Sequence, residues 1–399
     1  MAANEPGGRS ATLSDVARRA GVSIATASKA LNGREDVAPA TRRRVMDAAE
    51  GLSFTPNAMA RGLLAGRTGT VGLLTSDLEG RFMIPILMGA EDAFGAGKVN
   101  VFLCDARGDA IREQHHLKAL LSRRVDGIIV VGRQTDPRPS LGQEIPVPVV
   151  YAYAPSDDPR DLSLTPDNYA GGRLAVEHLI GCGRTRIAHI TGDPAYAAAQ
   201  DRIAGARAAL DAAGLELVGE PMFSEWTEHW GRDAAAMLLE RHPDIDAIFC
   251  GSDQLARGAL DTARDLGRRV PEDLAVIGYD NWEVLATNSR PELTSIDANL
   301  QQLGRQAAQR VFDAIDGVDI GEGIEADVRD ALEDFNLRVI EARRQLQGGP
   351  PVVTPTRDVD AEVAAWRERR AARIAAQAQA ETDAAARRRH PWWRRRGRS

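Results

Sequence analysis

The sequence contains few cysteines and few aromatic residues, and it has no long apolar run. Only three of its 399 residues are cysteines, and they lie far apart, without a His or Cys at the spacing of a metal site. We therefore expect reduced structural thiols and no bound metal. No stretch approaches the ~20 apolar residues of a membrane helix, and the pattern of an export signal is missing. The expected location is the cytoplasm.

The signatures of common enzyme classes are missing as well. The sequence has no Walker-type phosphate loop, no Ser-x-x-Lys or Gly-x-Ser-x-Gly motif and no His-Glu-x-x-His motif. The adjacent His115 and His116 diverge by roughly 100° on a helix, so we interpret them as surface residues rather than metal ligands. We predict no enzyme activity and no cofactor.

Length and charge divide the chain into parts. A chain of 399 residues exceeds one ordinary domain, and its hydrophobic content of 43% is ample for a buried core. Residues 1–70 carry a net charge of +4 and residues 360–399 carry +6, which leaves −17 for the residues between them. The basic ends suit contact with phosphate, whereas the acidic centre suits a different partner.

A cap and a glycine turn mark the first predicted helix. Thr12, followed three residues later by Asp15, can cap a helix over Leu13–Ala20, because its hydroxyl can accept a free backbone N–H. Gly21 then ends this helix.

Two further helices are predicted after the turn. Ser23, with Thr26 three residues later, can cap a second helix that extends to Leu31, and a third is expected over residues 39–52. Small apolar residues face inward on all three. The set is either a helix-turn-helix unit, whose second helix reads DNA, or a plain three-helix bundle with a solvated polar face.

Residues 12–33 (TLSDVARRAGVSIATASKALNG) and 54–63 (FTPNAMARGL) resemble the lactose-repressor and galactose-repressor (LacI/GalR) family of bacterial transcription regulators. The resemblance spans about residues 10–316 and resumes weakly near 352–359. It implies that the second helix lies in the major groove, with Ile24, Ala25 and Lys29 at base edges. Because Ile24 and Ala25 form no side-chain hydrogen bonds, readout would use thymine methyl groups and a contact of Lys29 to guanine. The other DNA contacts predicted in this unit are Thr12, Ser23, Thr26, Ser28 and Asn32.

The same resemblance implies a hinge helix over residues 56–64. Asn57 is a further predicted DNA contact, and Ala60 is small enough for close packing against a twofold mate. Leu63 matches the leucine that wedges into a minor-groove step. An isolated helix of this length is marginal in water, so it would form only on DNA beside a partner hinge. The alternative is an ordinary linker helix.

From residue 70 onward, short β-branched runs alternate with helical stretches. Buried parallel strands are predicted at residues 70–74, 100–104, 127–131 and 147–151, and again at 186–190, 247–250 and 274–278. The fold class is therefore α/β, with an N-terminal three-helix helix-turn-helix domain and hinge helix followed by two doubly wound α/β lobes. The resemblance adds that these lobes are of periplasmic-binding-protein type.

Polar and aromatic side chains stand where ligands bind in such lobes, beyond the carboxyl ends of the strands. Arg202 follows one predicted strand, Ser252 and Asp253 follow another, and Asp280 and Trp226 are expected at the same edge. Carboxylates, an Arg fork and an indole face suit a ligand rich in hydroxyl groups. Each residue could instead be a surface charge or a core aromatic.

The family resemblance implies that these five residues contact a small effector, and that Phe82 and Met83 line the first lobe. Three positions depart from the family. Residues 80–82 (Gly-Arg-Phe) replace an Asn-Pro-Phe, Tyr153 stands where a sugar-binding Asp can occur, and Pro166 replaces an aromatic residue. We retain Tyr153 as a predicted effector contact. The implied ligand class is a sugar or short oligosaccharide, of undefined identity.

The carboxyl end also departs from the family. Residues 325–347 predict an inserted helix, and residues 352–359 resemble the closing strand. The seven arginines and two tryptophans of residues 387–399 either bind phosphate or an anionic membrane surface, or form a disordered solubilising tail. The predicted domains are the helix-turn-helix domain (1–55), the hinge helix and linker (56–69), the two-lobed effector-binding and dimerisation domain (70–359) and the basic tail (360–399).

These features predict a sequence-specific DNA-binding repressor that a sugar switches by binding between the lobes. The partners would be operator DNA, the effector and a second copy of the chain in a homodimer or higher oligomer, with the protein on the nucleoid when bound. Two alternatives stay open. One is a purine-corepressed regulator, in which ligand promotes DNA binding. The other is a sugar-binding transport protein, which the N-terminal DNA-binding pattern and the missing export signal disfavour.

Overall fold

The structure is a computed structural model, and it describes residues 11–31, 37–52, 54, 67–95 and 99–317. Several predicted features lie outside the described residues. They are the hinge helix, the helix at 325–347, the strand at 352–359, the basic tail and the DNA contacts Asn32, Asn57, Ala60 and Leu63. The chain divides into two compact units between Gly69 and Thr70.

The first unit contains three helices, α1 (Leu13–Ala20), α2 (Ile24–Leu31) and α3 (Pro39–Glu50). Valines and alanines from all three helices form its core, in which Val16, Ala27 and Val45 are fully buried. Such small side chains let short helices approach closely. The predicted bounds of α1 and α2 are confirmed, whereas α3 ends two residues earlier than predicted, because the chain turns at residues 51–52.

The second unit contains two five-stranded sheets, in which every recorded pairing is parallel. The first sheet has the order β2-β1-β3-β4-β5 and the second β10-β9-β8-β6-β7. Their strands are β1 (Thr70–Thr75), β2 (Asn100–Asp105), β3 (Gly127–Val131), β4 (Val149–Ala152), β5 (Leu162–Leu164), β6 (Ile187–Thr191), β7 (Met222–Phe223), β8 (Ala247–Cys250), β9 (Ala275–Tyr279) and β10 (Thr294–Ile296).

Helices pack on each sheet to form two lobes. The first lobe holds α4 (Met83–Phe94), α5 (Ala110–Ser122) and α11 (Leu300–Ile315). The second holds α6 (Asn168–Gly181), α7 (Ala197–Ala212), α8 (Glu228–Arg241), α9 (Asp253–Asp265) and α10 (Glu283–Ala286). The chain crosses to the second lobe at α6 and returns to the first at α11, which packs against α4 and strands β3 and β4.

The predicted strands are confirmed as parallel strands, with two differences. The short strands β5, β7 and β10 were not predicted, since runs of three, two and three residues are too brief for periodicity to reveal. The prediction that β2 is buried is wrong: Phe102 and Leu103 are 42% and 38% exposed, because β2 lies at a sheet edge. Within the described ranges, no helix is both long and apolar enough to cross a membrane.

Candidate functional site

Local hydrogen bonds fix both ends of α1. The Thr12 hydroxyl accepts the N–H of Asp15 at 3.3 Å, and the Asp15 carboxylate accepts the N–H of Thr12 at 3.0 Å. This reciprocal capping box satisfies two backbone donors at the helix start. Gly21 ends the helix with a φ of 65°, a left-handed conformation that glycine adopts without steric strain. The chain can therefore turn directly into α2.

The second helix has an inward and an outward face. Ala27 and Ala30 pack in the core, whereas the three residues predicted to meet base edges are exposed: Ile24, Ala25 and Lys29. Ile24 is 53% exposed, so its methyl groups can contact an apolar partner such as a thymine methyl. Together these residues form a short apolar surface with one cationic end.

Three of the other predicted DNA contacts, Ser23, Thr26 and Ser28, lie just before α2 or in its first five residues. The hydroxyl of Ser23 accepts the N–H of Thr26 at 3.0 Å, and the two hydroxyl oxygens lie 2.8 Å apart. Ser28 is half-buried one turn further along. The hydroxyl groups of Ser23 and Thr26 therefore stand beside the free N–H groups of a helix start, where an anion is favoured.

A cavity of about 1050 Å³ opens at the carboxyl ends of both sheets of the second unit, and we call it the cleft. Its wall contains residues that follow β1, β3 and β4 in the first lobe and β6, β8, β9 and β10 in the second. This is where parallel α/β folds bind ligands, because loops from several strands converge there. The structure brings five of the predicted effector contacts together in its wall: Phe82, Tyr153, Arg202, Trp226 and Asp280.

Three other predicted effector contacts lie behind the wall. Met83 is 2% exposed and belongs to the core of the first lobe. Ser252 is fully buried, and its hydroxyl accepts the N–H of Leu255 at 3.3 Å to cap α9. Asp253 is fully buried as well. Their proximity in sequence to cleft residues does not place their side chains at its surface.

Arg202 is held by several partners. Its Nε donates to Asn168 Oδ1 at 2.9 Å and its Nη1 donates to the carbonyl oxygen of Gly251. Its Nη2 lies 3.5 Å from Asp280 Oδ1, and its guanidinium carbon lies 3.5 Å from the centre of the Tyr279 ring. A guanidinium fixed by a stacked ring and two carbonyl-type oxygens is oriented before any ligand arrives.

Asp280 stands on a loop that buried groups hold in an unusual backbone conformation. Asp280 and Asn281 have φ values of 95° and 49°. Behind them, the Asp253 carboxylate accepts the N–H of Trp282 at 2.6 Å and the hydroxyl of Ser295 at 2.5 Å. Burial raises the pKa of Asp253 to about 7, and the nearby Asp280 acts in the same direction. Asp253 therefore positions the loop that carries Asp280.

Aromatic rings form two walls of the cleft. Phe82 and Tyr153 stack with their centres 4.7 Å apart, and Tyr196 and Trp226 face each other at 6.2 Å. Burial raises the pKa of Tyr153, so its phenol stays neutral and can both donate and accept a hydrogen bond. Flat apolar faces beside polar groups suit a ring with an apolar face and a polar edge.

Several residues in the wall were not predicted from the sequence. They include Arg81, Tyr196, Gln254, Trp282 and Asp297. Each of them follows a strand of one of the two sheets, so position after a strand end was the available signal. In the described part of the chain, no group of three or more His, Cys, Asp or Glu is placed to hold a metal ion.

Comparison with known proteins agrees with this arrangement. Residues 12–57 match the profile described as bacterial regulatory proteins, lacI family, and residues 68–333 match periplasmic binding proteins and sugar binding domain of LacI family. The transcriptional regulator CelR of Thermobifida fusca is 37% identical over 319 residues, which is 77% of this chain and 93% of CelR. The ribose operon repressor of Escherichia coli K12 is 36% identical over 74% of this chain and 91% of its own.

A solved structure of the lac repressor dimer, bound to operator and the anti-inducer ONPF, is also similar. It aligns with a TM-score of 0.60 and 26% identity over 78% of this chain and 94% of the repressor chain. The fold and cleft define a two-lobed ligand-binding protein that carries a helix-turn-helix unit. The chain belongs to the LacI family of DNA-binding transcription regulators.

Proposed function

We propose that the protein represses transcription by binding operator DNA through α2, and that it leaves the operator when a sugar binds in the cleft. The observation that carries this proposal is the convergence of Arg202, Asp280 and aromatic faces on one cleft. Arg donates to ligand hydroxyls, a carboxylate accepts from them, and an indole covers the apolar face of a sugar. We propose no enzyme activity, in keeping with relatives that are regulators.

A sugar or short oligosaccharide suits the size of the cleft. Its volume of about 1050 Å³ exceeds what one monosaccharide fills, since pockets of roughly 300–1,000 Å³ bury drug-sized ligands. The matching profile is described as a sugar binding domain, and one relative is a repressor of a ribose operon. Anionic ligands such as sugar phosphates are disfavoured, because the lining contains more carboxylates than arginines.

The DNA half of the proposal places Ile24, Ala25 and Lys29 at base edges and the Ser23 and Thr26 hydroxyls at phosphates. A homodimer would present two copies of α2 to a roughly palindromic operator, as a twofold axis requires. The domains follow the predicted division, with DNA binding in 1–55, hinge and linker in 56–69, effector binding and dimerisation in 70–359 and a basic tail after them. Since the partner is operator DNA, the proposal places the protein in the cytoplasm.

Coupling between the two sites needs little free energy. A hundredfold loss of operator affinity on sugar binding corresponds to about 2.7 kcal/mol, within the usual range of coupling between distant sites. A change in the angle between the lobes on ligand closure can supply that amount.

The sugar half is tested by a thermal-shift screen of the purified protein against mono- and disaccharides and against nucleobases. A sugar should raise the melting temperature and then release protein from an operator obtained by selection from random DNA. Stabilisation by a nucleobase alone, with tighter operator binding, would support the purine-corepressed alternative instead. Stabilisation by no compound would contradict the sensing half and leave the DNA-binding half standing.

The DNA half is tested with a matched pair of lysine variants. Lys29→Ala should lower affinity for the selected operator by roughly 5–150-fold, because one good base contact is worth about 1–3 kcal/mol. Lys118→Ala, an exposed lysine of α5 in the other unit, should leave affinity unchanged at the same salt concentration. Fluorescence anisotropy on labelled operator measures both. Equal effects of the two changes would contradict the assignment of α2 as the reading helix.

A further inference from the structure

The two residues best suited to bind a hydroxyl-rich ligand are almost sealed from the cleft. The side chains of Arg202 and Asp280 are only 5% and 3% exposed, although both contribute to the wall. Arg81 donates a hydrogen bond to Oδ2 of Asp280, and the side chain of Arg81 is itself only 16% exposed. A ligand in the cleft therefore cannot hydrogen-bond to this oxygen while Arg81 keeps its place.

Arg81 reaches Asp280 from the opposite lobe. It follows β1 in the first lobe, whereas Gln254 lies in α9 and Asp280 follows β9 in the second. Its Nη1 donates to Gln254 Oε1 at 2.8 Å, and its Nη2 donates to Asp280 Oδ2. One guanidinium thus ties the two lobes together with two charge-assisted hydrogen bonds, one to a carboxylate and one to a neutral amide oxygen.

Aromatic rings complete the surroundings of this guanidinium. Its carbon lies 4.7 Å from the centre of the Phe82 ring and 5.3 Å from that of Trp282. Ring faces attract a planar cation, and an amide oxygen and a carboxylate oxygen accept hydrogen bonds from its two Nη groups. Phe82 belongs to the first lobe, whereas Gln254 in α9 and Asp280 and Trp282 on the loop after β9 belong to the second. Together these four groups match the planar shape and positive charge of a guanidinium ion.

We propose that the cleft contains a guanidinium subsite, which Arg81 fills from within the same chain. The subsite is formed by Asp280, Gln254, Phe82 and Trp282. Arg81 acts as an internal ligand: it holds the lobes together and occupies Asp280 when no effector is bound. An effector can hydrogen-bond to the Asp280 carboxylate only if its hydroxyl groups displace Arg81. The measured affinity for the effector is therefore lower than its affinity for a site from which Arg81 has already moved away. The displacement of Arg81 by an effector rests on the proposed sugar-binding function, whereas the guanidinium subsite itself does not.

Chemical rescue tests the subsite without any effector. Arg81→Ala removes the side chain and leaves its four partners in place. Methylguanidinium chloride at about 10 mM should then raise the melting temperature of Arg81→Ala by roughly 1–3 °C, because it binds only the folded form. Wild-type protein, whose subsite is filled, should show no such rise, and neither should the double variant Arg81→Ala/Asp280→Asn. Methylammonium chloride, which lacks the planar fork, controls for ionic strength.

A matched arginine variant controls for general effects of the additive. Arg160→Ala removes a 70% exposed arginine that pairs with Asp158 on the surface, so no rescue is expected there. Equal shifts in wild type, Arg160→Ala and Arg81→Ala would overturn the subsite, as would rescue that persists without the Asp280 carboxylate. If Arg81→Ala shows no cooperative unfolding, the same comparison is made with Arg81→Gln, which retains more of the packing.

Sugar titrations test the displacement. For any neutral mono- or disaccharide that binds wild type, Arg81→Ala should bind at least about fivefold more tightly, because the internal competitor is gone. Equal or weaker binding would overturn displacement. If no sugar in the panel binds either protein, the sugar part of the proposed function fails, and the methylguanidinium result alone decides the subsite.

Discussion

The two lobes share one backbone plan. Read in chain order, both sheets have the strand order 2-1-3-4-5, and in each lobe the residue after the fourth strand has a positive φ. These residues are Tyr153, with φ of 73°, and Asp280, with φ of 95°. Each donates its N–H to the fifth strand of its own sheet, to Leu164 at 2.9 Å and to Ile296 at 2.8 Å.

The chemistry at these equivalent positions differs. Tyr153 presents a neutral phenol stacked on Phe82, whereas Asp280 presents a carboxylate between two arginines. The sixth residue of the helix after the first strand is Met88 in the first lobe, 51% exposed, and the buried Arg202 in the second. The shared fold therefore fixes where side chains meet the cleft, and at these two equivalent positions the first lobe has uncharged side chains whereas the second has charged ones.

Removing the buried charge of the second lobe should have the largest effect. Arg202→Ala leaves Asn168 and the Gly251 carbonyl without their donor and removes one of the two arginines beside the buried Asp280 carboxylate, and we expect a loss of about 3–5 kcal/mol in the free energy of unfolding. Met88→Ala, at the equivalent helix position, should cost far less, because its side chain is half exposed. Chemical denaturation measures both. Similar losses would contradict the contrast between the lobes.

Adding a methyl group to a glycine at a close helix contact should destabilise both lobes to a similar extent. A Cβ on Gly304 of α11 would collide with the carbonyl oxygen of Ile86 in α4, and one on Gly172 of α6 with that of Arg202 in α7. Since backbone atoms cannot yield easily, Gly304→Ala and Gly172→Ala should each cost about 1–3 kcal/mol. Gly181→Ala, at the end of α6 with open space around it, should be neutral or slightly stabilising. If one of these two substitutions lowered the free energy of unfolding much more than the other, the helix packing of the two lobes would not be equivalent.

The buried carboxyl of the second lobe should give a pH dependence. Because the pKa of Asp253 is raised to about 7, the folded protein binds more protons than the unfolded chain between about pH 4 and 7. This group therefore lowers stability as the pH rises through that window. Relative to wild type, the free energy of unfolding of Asp253→Asn should rise by about 2–3 kcal/mol between pH 5 and 8.

A partly exposed carboxyl at the surface provides the control for this measurement. Arg269 lowers the pKa of Asp273 to about 2, so Asp273→Asn should differ from wild type by a constant amount between pH 5 and 8. Thermal unfolding at several pH values measures both variants. A constant difference for Asp253→Asn as well would show that its carboxyl does not titrate in this window.

The smallest expected effect concerns the second left-handed residue of the Asp280 loop, which has no counterpart after Tyr153. Asn281 is exposed and has a φ of 49°. Asn281→Ala should cost about 1 kcal/mol, because alanine disfavours this conformation, whereas Asn281→Gly should be close to neutral. Equal stabilities of the two variants would show that the backbone there relaxes without cost.

Local patterns predicted the elements well. The capping box of Thr12 and Asp15 and the left-handed Gly21 gave the bounds of α1, because those interactions are made within a few residues of sequence. The parallel strands were visible as β-branched runs for the same reason. The very short strands were missed, since a two-residue strand such as β7 exists only through its neighbour β6.

Site residues were predicted less completely. Arg202, Asp280 and Trp226 follow strands of the second lobe and reach the cleft. Ser252 and Asp253 follow a strand too, yet one caps α9 and the other supports the Asp280 loop. Position after a strand identifies the edge of the sheet, but the direction of each side chain depends on the helix that begins there.

The sequence by itself determined the order of the elements, the helix-turn-helix unit and the membership of the chain in its family. Only the tertiary structure decided which charges meet. Arg81 and Asp280 are 199 residues apart and lie in different lobes, so no local pattern could pair them. Hydrophobic periodicity and caps act over a few residues, whereas a buried ion pair depends on two sheets bringing distant loops to one point.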